Sequence, residues 1–403
     1  MVVAEVVPEI VSAVRGAGGL FRVNIAYSDR IEIAEVGVLE IVDPRSEIGQ
    51  RRLVEAVAEA EEIATAVPSV QFYTSPGPGS IHRLLAQGVR RKAATQGRHV
   101  IVYAAENHNH AAEILEASVL AEIPEQERAR AATHVRFLNT VIGKMSGVVS
   151  DPDEIRLQGL ATITPGGHRA FLVEAFNRIL ISKIRFAGAG DAPPFQRGIK
   201  VFEEKDDLLP FEEAKLYGHN ATHALAAYVG AIRGVERIAD LAKYPDILAF
   251  LRAAFIQESG EALARKHAGK DALFTHDGYR EYADDLLARM VNPFLYDNVA
   301  RVGRDPQRKL GWDDRLVGTL RVCIGQGVKP SRYAFGAAAA LAVMDRNTLE
   351  SNVPLATWLE PLWQAASPDK HEEGKVLRLI EEGRERLQHW LASGFQNLEE
   401  LFS

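Results

Sequence analysis

The stretch KLYGHNATH, residues 215–223, places Lys215, His219, Asn220 and His223 within nine residues that continue into the apolar run ALAAYVGAI. A lysine that is buried has a lowered pKa, because burial disfavours its charged form, and it then exchanges a proton with an alcohol near neutral pH. An asparagine amide donates to an oxygen on which negative charge develops. These groups are the ones needed to interconvert an alcohol and a carbonyl compound.

The same residue types also occur in helices that carry no chemistry. Lysine and histidine near the start of a helix often lie on a solvated face, and a histidine in an alanine-rich helix is often a core residue bonded to the backbone. Lys215 and His219 are i, i+4 neighbours, whereas Asn220 and His223 are i, i+3 neighbours that can share one substrate hydroxyl. The residues alone leave these alternatives open.

The length and composition of the chain indicate how many domains it forms and which kinds of partner it binds. A chain of 403 residues is expected to form two domains. The net charge of −7 argues against a nucleic-acid partner, and no apolar run approaches the roughly 18–20 residues needed to cross a bilayer. The single cysteine, Cys323, excludes an internal disulfide and fits a reducing compartment. We therefore expect a cytoplasmic protein with no membrane partner.

The first half of the chain alternates strand and helix patterns. Runs rich in β-branched residues predict strands, and 3.6-residue periodicity predicts helices between them. The predicted strands are 21–27, 36–42, 99–107, 134–142 and 169–176; the predicted helices include 46–67, which runs into a strand, and 110–123. This rhythm predicts a doubly wound α/β sheet.

After Pro210 the pattern becomes helical. Helices are predicted at about 211–233, 235–269, 277–290, 314–326, 331–346 and 374–401, with no evident strand. We therefore predict an α/β N-terminal domain over residues 1–208 and an all-α C-terminal domain over 209–403. The helix that contains Lys215 opens the second domain.

Four segments resemble motifs of one family, and they occur in that family's order. They are YAAENHNHAAEIL (103–115), FLNTVIGKM (137–145), PFEEAKLYGHNATHALAAYVG (210–230) and NPFLYDNVARVGRDPQRKLGWDDRLVG (292–318). Together they resemble the mannitol dehydrogenase family, the polyol-specific long-chain dehydrogenases. The last segment is most similar to the branch that acts on phosphorylated sugars.

The resemblance implies a role for each matching residue. Lys215 would be the general acid and base, with Asn139 and Asn220 holding the reacting oxygen and His223 orienting the substrate. Glu212, one turn before the lysine, would pass protons. No metal ion is implied, because the lysine takes the place of the zinc that other alcohol dehydrogenases use.

The resemblance also implies NAD as cofactor, bound by a Rossmann-like N-terminal domain. Glu5 fits the acidic residue that binds the ribose at the end of the second strand, and its charge favours NAD over NADP. Ala66, Val67, Glu106 and Asn107, at strand ends, are further predicted cofactor contacts.

One part of the Rossmann pattern is not found in these 403 residues. The glycine-rich turn G-x-G-x-x-G should follow the first strand, but RGAGGLFR (15–22) follows a helix and TSPGPGSIH (74–82) lacks the glycine order. That strand lies at the centre of the sheet, so a domain without it would consist of two half-sheets. We therefore expect that the sequence as given begins late, by roughly 30 residues.

Basic residues cluster in ARVGRDPQRKLGWDDR, residues 300–315. Arginine suits phosphate oxygens because its planar fork donates two parallel hydrogen bonds, and lysine adds a point charge. Arg304, Arg308 and Lys309 are the predicted substrate-phosphate ligands. The alternative is a salt-bridged surface, because aspartates are interleaved with these residues.

The resemblance implies an NAD-dependent oxidoreductase that interconverts a sugar-alcohol phosphate and a ketose phosphate, of the mannitol 1-phosphate and fructose 6-phosphate type. Two alternatives remain: a dehydrogenase of an unphosphorylated polyol or hexuronate, and a non-catalytic relative that only binds a sugar phosphate. The expected partner is a small molecule, and the expected state is a monomer or weak oligomer.

Overall fold

The computed structural model describes residues 1–186, 195–350 and 353–402. The chain divides into two compact units, Met1–Leu209 and Pro210–Ser403.

Within its described residues, 1–186 and 195–209, the N-terminal unit contains three sheets and six α-helices. Its strands are β1 Val2–Ala4, β2 Phe21–Ala26, β3 Ile31–Val36, β4 Glu40–Val42, β5 Glu62–Thr65, β6 Val100–Ala104, β7 Val135–Ile142, β8 Ser146–Val149, β9 Ala170–Glu174, β10 Ile179–Ser182 and β11 Phe202–Lys205. Its helices are α1 Pro8–Gly16, α2 Glu47–Glu59, α3 Ile81–Ala94, α4 Ala111–Ala121, α5 Glu125–His134 and α6 Pro152–Leu157.

The largest sheet has the strand order β11-β10-β7-β6-β5. Strands β5, β6 and β7 are parallel, as the βαβ rhythm predicts, whereas β10 runs antiparallel to β7. Strand β6 lies within the predicted strand 99–107, and every residue of it is buried, as in a parallel sheet covered on both faces. Its side chains pack with those of α3 and α4, including Val89, Leu115 and Val119.

The other strands do not extend this sheet, which corrects the prediction of one doubly wound sheet. Strands β1 and β4 form a parallel pair, and β3, β2, β9 and β8 form a four-stranded sheet. The buried Asn24 helps to explain the separate sheet, because its amide donates to the carbonyls of Ala161 and Phe171 and accepts from the amide of Ala161. These bonds hold β2 beside β9.

The C-terminal unit is helical. Its α-helices are α7 Leu209–Glu213, α8 Ala221–Arg233, α9 Pro245–Ala253, α10 Glu261–Lys266, α11 His276–Met290, α12 Val299–Gly303, α13 Pro306–Lys309, α14 Val317–Gly325, α15 Ser331–Met344, α16 Asn347–Glu350, α17 Ala356–Trp363 and α18 Lys370–Ala392. In its described residues, 210–350 and 353–402, the only β pairing is an isolated bridge between Arg237 and Asn298.

Two of the predicted long helices contain π-helical segments. Ala214–Asn220 lies between α7 and α8, and Ala254–Gly260 lies between α9 and α10. Such π-helical turns occur frequently at functional sites, because the extra residue redirects neighbouring side chains. The predicted catalytic residues Lys215 and Asn220 both lie in the first segment.

Helix α15 is the most buried helix of this unit, with eleven buried residues. It packs against α18 and α8. Among the described residues, no helix combines the length and apolar composition that a membrane span requires.

The crossing of α15 and α18 depends on one glycine. A Cβ atom at Gly383 would lie 2.5 Å from the carbonyl oxygen of Ala334, whereas a Cβ at Gly374, in the same helix, would meet nothing within 4 Å. We expect Gly383→Ala to lower the free energy of unfolding by about 1–3 kcal/mol through overpacking. Gly374→Ala should raise it by about 0.5–1 kcal/mol, because alanine loses less backbone entropy in a helix.

Urea unfolding of the two variants measures both changes. Equal effects of the two substitutions would contradict the close approach of α15 and α18 at Gly383.

Candidate active site

Lys215 is half-buried in the first π-helical segment. Burial, and after it the positive charge of the nearby Arg315, lower its pKa to about 8, although the carboxylate of Glu212 partly opposes both effects. A group with this pKa both takes up and gives up a proton near neutral pH. The prediction that this lysine has a lowered pKa agrees with its surroundings.

The other two residues of the signature follow directly. Asn220 is the last residue of the π-helical segment, and His223 lies in the first turn of α8. Nε2 of His223 lies 3.2 Å from Oδ2 of the buried Asp297, and the second oxygen of that carboxylate contacts Arg301. The carboxylate of Asp297 therefore lies beside the imidazole and forms an ion pair with it when His223 is protonated.

Asp297 and Arg301, which contact each other beside His223, were not among the residues predicted from the sequence. Their i, i+4 spacing within DNVAR was the sequence feature that could have indicated this contact, because it allows the two opposite charges to pair at the start of α12. The backbone supports the arrangement, because the carbonyl of Asp297 accepts from the amide of Ile238 at 2.8 Å.

His219 is a buried core residue whose ring lies 6.4 Å from that of His223. Burial holds its pKa well below the usual histidine range, with His223 and Arg289 adding to the effect. Its Nδ1 atom has no hydrogen-bond partner among the described residues. His219 is therefore neutral at physiological pH.

Lys309, a predicted phosphate ligand, is 3% exposed. Its ammonium group donates to the carbonyl of Val302 at 2.7 Å and to the carbonyl of Arg304. Burial lowers its pKa to about 8, and the positive charge of Arg315 contributes. In this arrangement Lys309 ties the end of α12 to α13 and presents little of its surface to a ligand.

The two predicted arginine ligands differ in their surroundings. Arg308 is half-exposed and pairs with the carboxylates of Asp305, at 2.8 Å, and Asp314, at 3.3 Å. Arg304 is exposed, and no carboxylate of the described residues lies within ion-pair distance of it. It lines a cavity of about 760 Å³ together with Tyr228. Arg304 is therefore the more available anion ligand of the two.

In the N-terminal unit, the predicted cofactor residues follow parallel strands. Ala66 and Val67 follow β5, and Glu106 and the exposed Asn107 follow β6. The buried carboxylate of Glu106 accepts from the amide of Val67 and from Thr65 Oγ1, each at 3.0 Å, and from the hydroxyl of Tyr73. It therefore joins the ends of two adjacent strands.

Glu5 follows β1 and is only partly buried. One carboxylate oxygen accepts from the amide of Val7 at 2.8 Å, and the backbone amide of Glu5 donates to Val42 in β4. No described residue bonds the second oxygen. A carboxylate at the end of a parallel strand with a free oxygen fits a pair of ribose hydroxyls.

Asn139 lies in β7 opposite Ala104 of β6. Its Oδ1 accepts from the amide of Ala112 at 2.9 Å and its Nδ2 donates to Glu113 at 2.8 Å. The local cap residue of α4, His110, makes no side-chain cap, so Asn139 fills that role. The second N–H of its amide is not used by any described residue.

Metal ligands are not grouped in the described part of the chain, where no set of three or more His, Cys, Asp or Glu side chains is placed to hold an ion.

The charges around Lys215 predict opposite shifts of its pKa. We expect Arg315→Gln to raise the pKa, because it removes a positive charge, and Glu212→Gln to lower it, because it removes a negative charge. The pH dependence of Lys215 labelling by an amine-specific reagent measures the pKa without any substrate. The exposed Lys329 serves as the internal reference. Shifts of the same sign in both variants would contradict this account.

A family model matches the C-terminal unit. Residues 207–383 match the mannitol dehydrogenase C-terminal domain, a span that includes the predicted residues from Lys215 to Lys309.

Two curated relatives are mannitol-1-phosphate 5-dehydrogenases. The protein from Bacillus licheniformis is 28% identical over 323 residues, covering 80% of this chain and 76% of the relative. The protein from Brevibacillus brevis is 28% identical over 385 residues, covering 93% of this chain and 88% of the relative.

Two solved structures share the fold. A substrate-free D-sorbitol dehydrogenase superposes with a TM-score of 0.72 at 14% identity, covering 98% of this chain and 86% of that one. Mannitol 2-dehydrogenase of Pseudomonas fluorescens, solved with NAD and D-mannitol, gives 0.63 at 16% identity, with 98% and 85% covered. The domain match and the related sequences show that residues 207–383 are similar to the mannitol dehydrogenase C-terminal domain and that the chain as a whole is similar to mannitol-1-phosphate 5-dehydrogenases.

Proposed function

We propose that this protein is an NAD-dependent oxidoreductase that interconverts mannitol 1-phosphate and fructose 6-phosphate, with Lys215 as general acid and base. The observation that carries the proposal is the half-buried lysine with a pKa of about 8, placed five residues before Asn220 in one π-helical segment. The related mannitol-1-phosphate 5-dehydrogenases support the choice of substrate.

The chain's own residues account for the proton transfer. In oxidation, the neutral amine of Lys215 takes the proton of the reacting hydroxyl; in reduction, the ammonium returns it to the carbonyl oxygen. The amide of Asn220 donates to that oxygen as charge develops on it. His223, which lies beside Asp297, binds a neighbouring hydroxyl. The transfer needs no metal ion, because the amine is itself the base.

NAD, when bound, supplies the hydride acceptor. The free carboxylate oxygen of Glu5 would bind the ribose hydroxyls, and the backbone at Ala66 and Val67 with the exposed Asn107 would contact the rest of the cofactor. Glu106 would hold these strand ends in position, because its carboxylate already accepts three hydrogen bonds. For Asn139 we propose that the unused N–H binds the reacting oxygen.

The substrate phosphate would bind to the basic cluster. Arg304 has no carboxylate partner among the described residues, whereas Arg308 must share its charge with Asp305 and Asp314. The positive charge of Lys309 would attract the phosphate, and its hydrogen bond to the carbonyl of Arg304 would hold the loop that carries Arg304. We further propose a monomer or weak oligomer acting in the cytoplasm on small molecules alone.

The first prediction concerns the acid and base. We expect Lys215→Ala to lower kcat by about 10²–10⁴-fold while leaving the folded structure intact, as judged by circular dichroism. In the unaltered protein, oxidation of mannitol 1-phosphate should rise as the pH passes through about 8, because the amine must be neutral. Reduction of fructose 6-phosphate should fall over the same range, because the ammonium is required. Near-normal turnover in Lys215→Ala would exclude this mechanism.

The second prediction concerns the phosphate. We expect Arg304→Ala to raise KM for fructose 6-phosphate by about tenfold, the effect of losing roughly 1.4 kcal/mol of binding, with much less effect on fructose. Arg308→Ala should act in the same direction but less strongly. Arg252→Ala, which removes an arginine paired with Asp284, is the control and should change neither KM. Equal effects on the two sugars would count against a phosphate site at these arginines.

A further inference from the structure

The two π-helical segments of the C-terminal unit contact each other. Gly218 in Ala214–Asn220 and Gly260 in Ala254–Gly260 face the same buried ring, that of Tyr279. A Cβ atom at Gly218 would collide with the tyrosine hydroxyl, and one at Gly260 would lie 2.6 Å from Cδ1 of the ring. The backbones of both segments therefore pack directly against one side chain.

A chain of hydroxyl groups continues from the second segment to α8. The hydroxyl of Tyr333 lies 3.0 Å from Oγ of Ser259 and 2.7 Å from Oγ1 of Thr222. All three side chains are completely buried, where hydrogen bonds are electrostatically stronger than in water. Thr222 lies between Asn220 and His223 in the sequence, so the chain of hydroxyl groups ends on the helical turn that carries both proposed substrate ligands.

Tyr333 is itself held by the second segment. The buried carboxylate of Glu258 accepts from the backbone amides of Arg332, at 2.8 Å, and Tyr333, at 3.1 Å. The cap position of α15, Pro330, offers no side-chain cap, so Glu258 satisfies the first free amides of this helix. Both the backbone and the hydroxyl of Tyr333 are therefore fixed to the segment Ala254–Gly260.

We propose that Tyr333 is a positioning residue for the reaction: its hydroxyl fixes the rotation of α8 through Thr222, and thereby the directions of Asn220 and His223. The inference rests on the proposed function. At roughly 100° per residue, the side chain of Thr222 points about 160° away from that of Asn220 and about 100° away from that of His223 around the helix axis. A rotation of about 10° moves a side chain that lies about 6 Å from the helix axis by about 1 Å. A displacement of that size costs up to about 10²-fold in rate.

The test is a double-mutant cycle on kcat for fructose 6-phosphate reduction. Tyr333→Phe and Thr222→Val each remove one hydroxyl and little volume. We expect each to lower kcat about tenfold and to change KM less than about twofold, because the loss affects the transition-state geometry. The double variant should also fall about tenfold rather than about a hundredfold, since both substitutions break the same hydrogen bond.

Thr348→Val is the matched control. It removes a buried hydroxyl that donates to the carbonyl of Asp345 next to α16, so it reports a general loss of stability. We expect kcat to stay unchanged in this variant. An equal loss of kcat in Thr348→Val, an unchanged kcat in Tyr333→Phe, or full additivity in the double variant would overturn the proposal.

A second readout separates this proposal from the proposed function. If the unaltered protein reduces no fructose 6-phosphate, the proposed function fails, and hydrogen exchange of the amides in residues 216–224 then tests the hydroxyl chain directly. Faster exchange in Tyr333→Phe than in Thr348→Val supports the positioning role, and equal exchange overturns it.

Discussion

Removal of the Lys215 ammonium from water is the constraint on which the site depends. Burial alone lowers the pKa of the amine, and the field of Arg315 lowers it further. That arginine is retained nearby because Asp314 lies 2.9 Å from it and also pairs with Arg308. A single carboxylate thus pairs with two arginines, one of which, Arg315, acts on the lysine.

Hydrogen bonds from residues distant in the sequence, rather than from the local cap residues, satisfy the first backbone amides of α4 and α15. Asn139 caps α4 from the neighbouring strand, and Glu258 caps α15 from another helix. In both helices the local cap residue makes no side-chain hydrogen bond. The side chains of Asn139 and Glu258 each join two separate elements. Without them, the first backbone amides of α4 and α15 would be buried without partners.

Features that depend on local sequence could be predicted, whereas features that depend on contacts between distant residues could not. The strand β6 and the signature from Lys215 to His223 were predictable, because a continuous apolar run and a local spacing are sequence features. The π-helical segments were not, since one extra residue in a turn leaves the apolar pattern almost unchanged. The separate four-stranded sheet pairs β2 with β9, and the amide of Asn24 supports that pairing through bonds to residues more than a hundred positions away.

In the candidate site, too, the residues that depend on a local pattern were predictable and those that depend on distant contacts were not. Lys309 was predicted to bind phosphate because lysine adds a point charge to the basic cluster, whereas in the structure it is buried and donates to two backbone carbonyls. The partnership of His223 with Asp297 joins positions distant in sequence, so no spacing revealed it. By contrast, Glu5 follows a parallel strand as predicted, because that placement depends only on the strand pattern.

The capping of α15 also has a consequence for the order of assembly. Glu258 precedes its partner amide at Arg332 by 74 positions, so during synthesis the acceptor leaves the ribosome well before the helix that it caps. The segment Ala254–Gly260 can therefore act as a template on which the first turn of α15 forms. The alanine-rich helix would then have a defined starting residue as soon as it emerges, which limits the registers in which it can pack against α8.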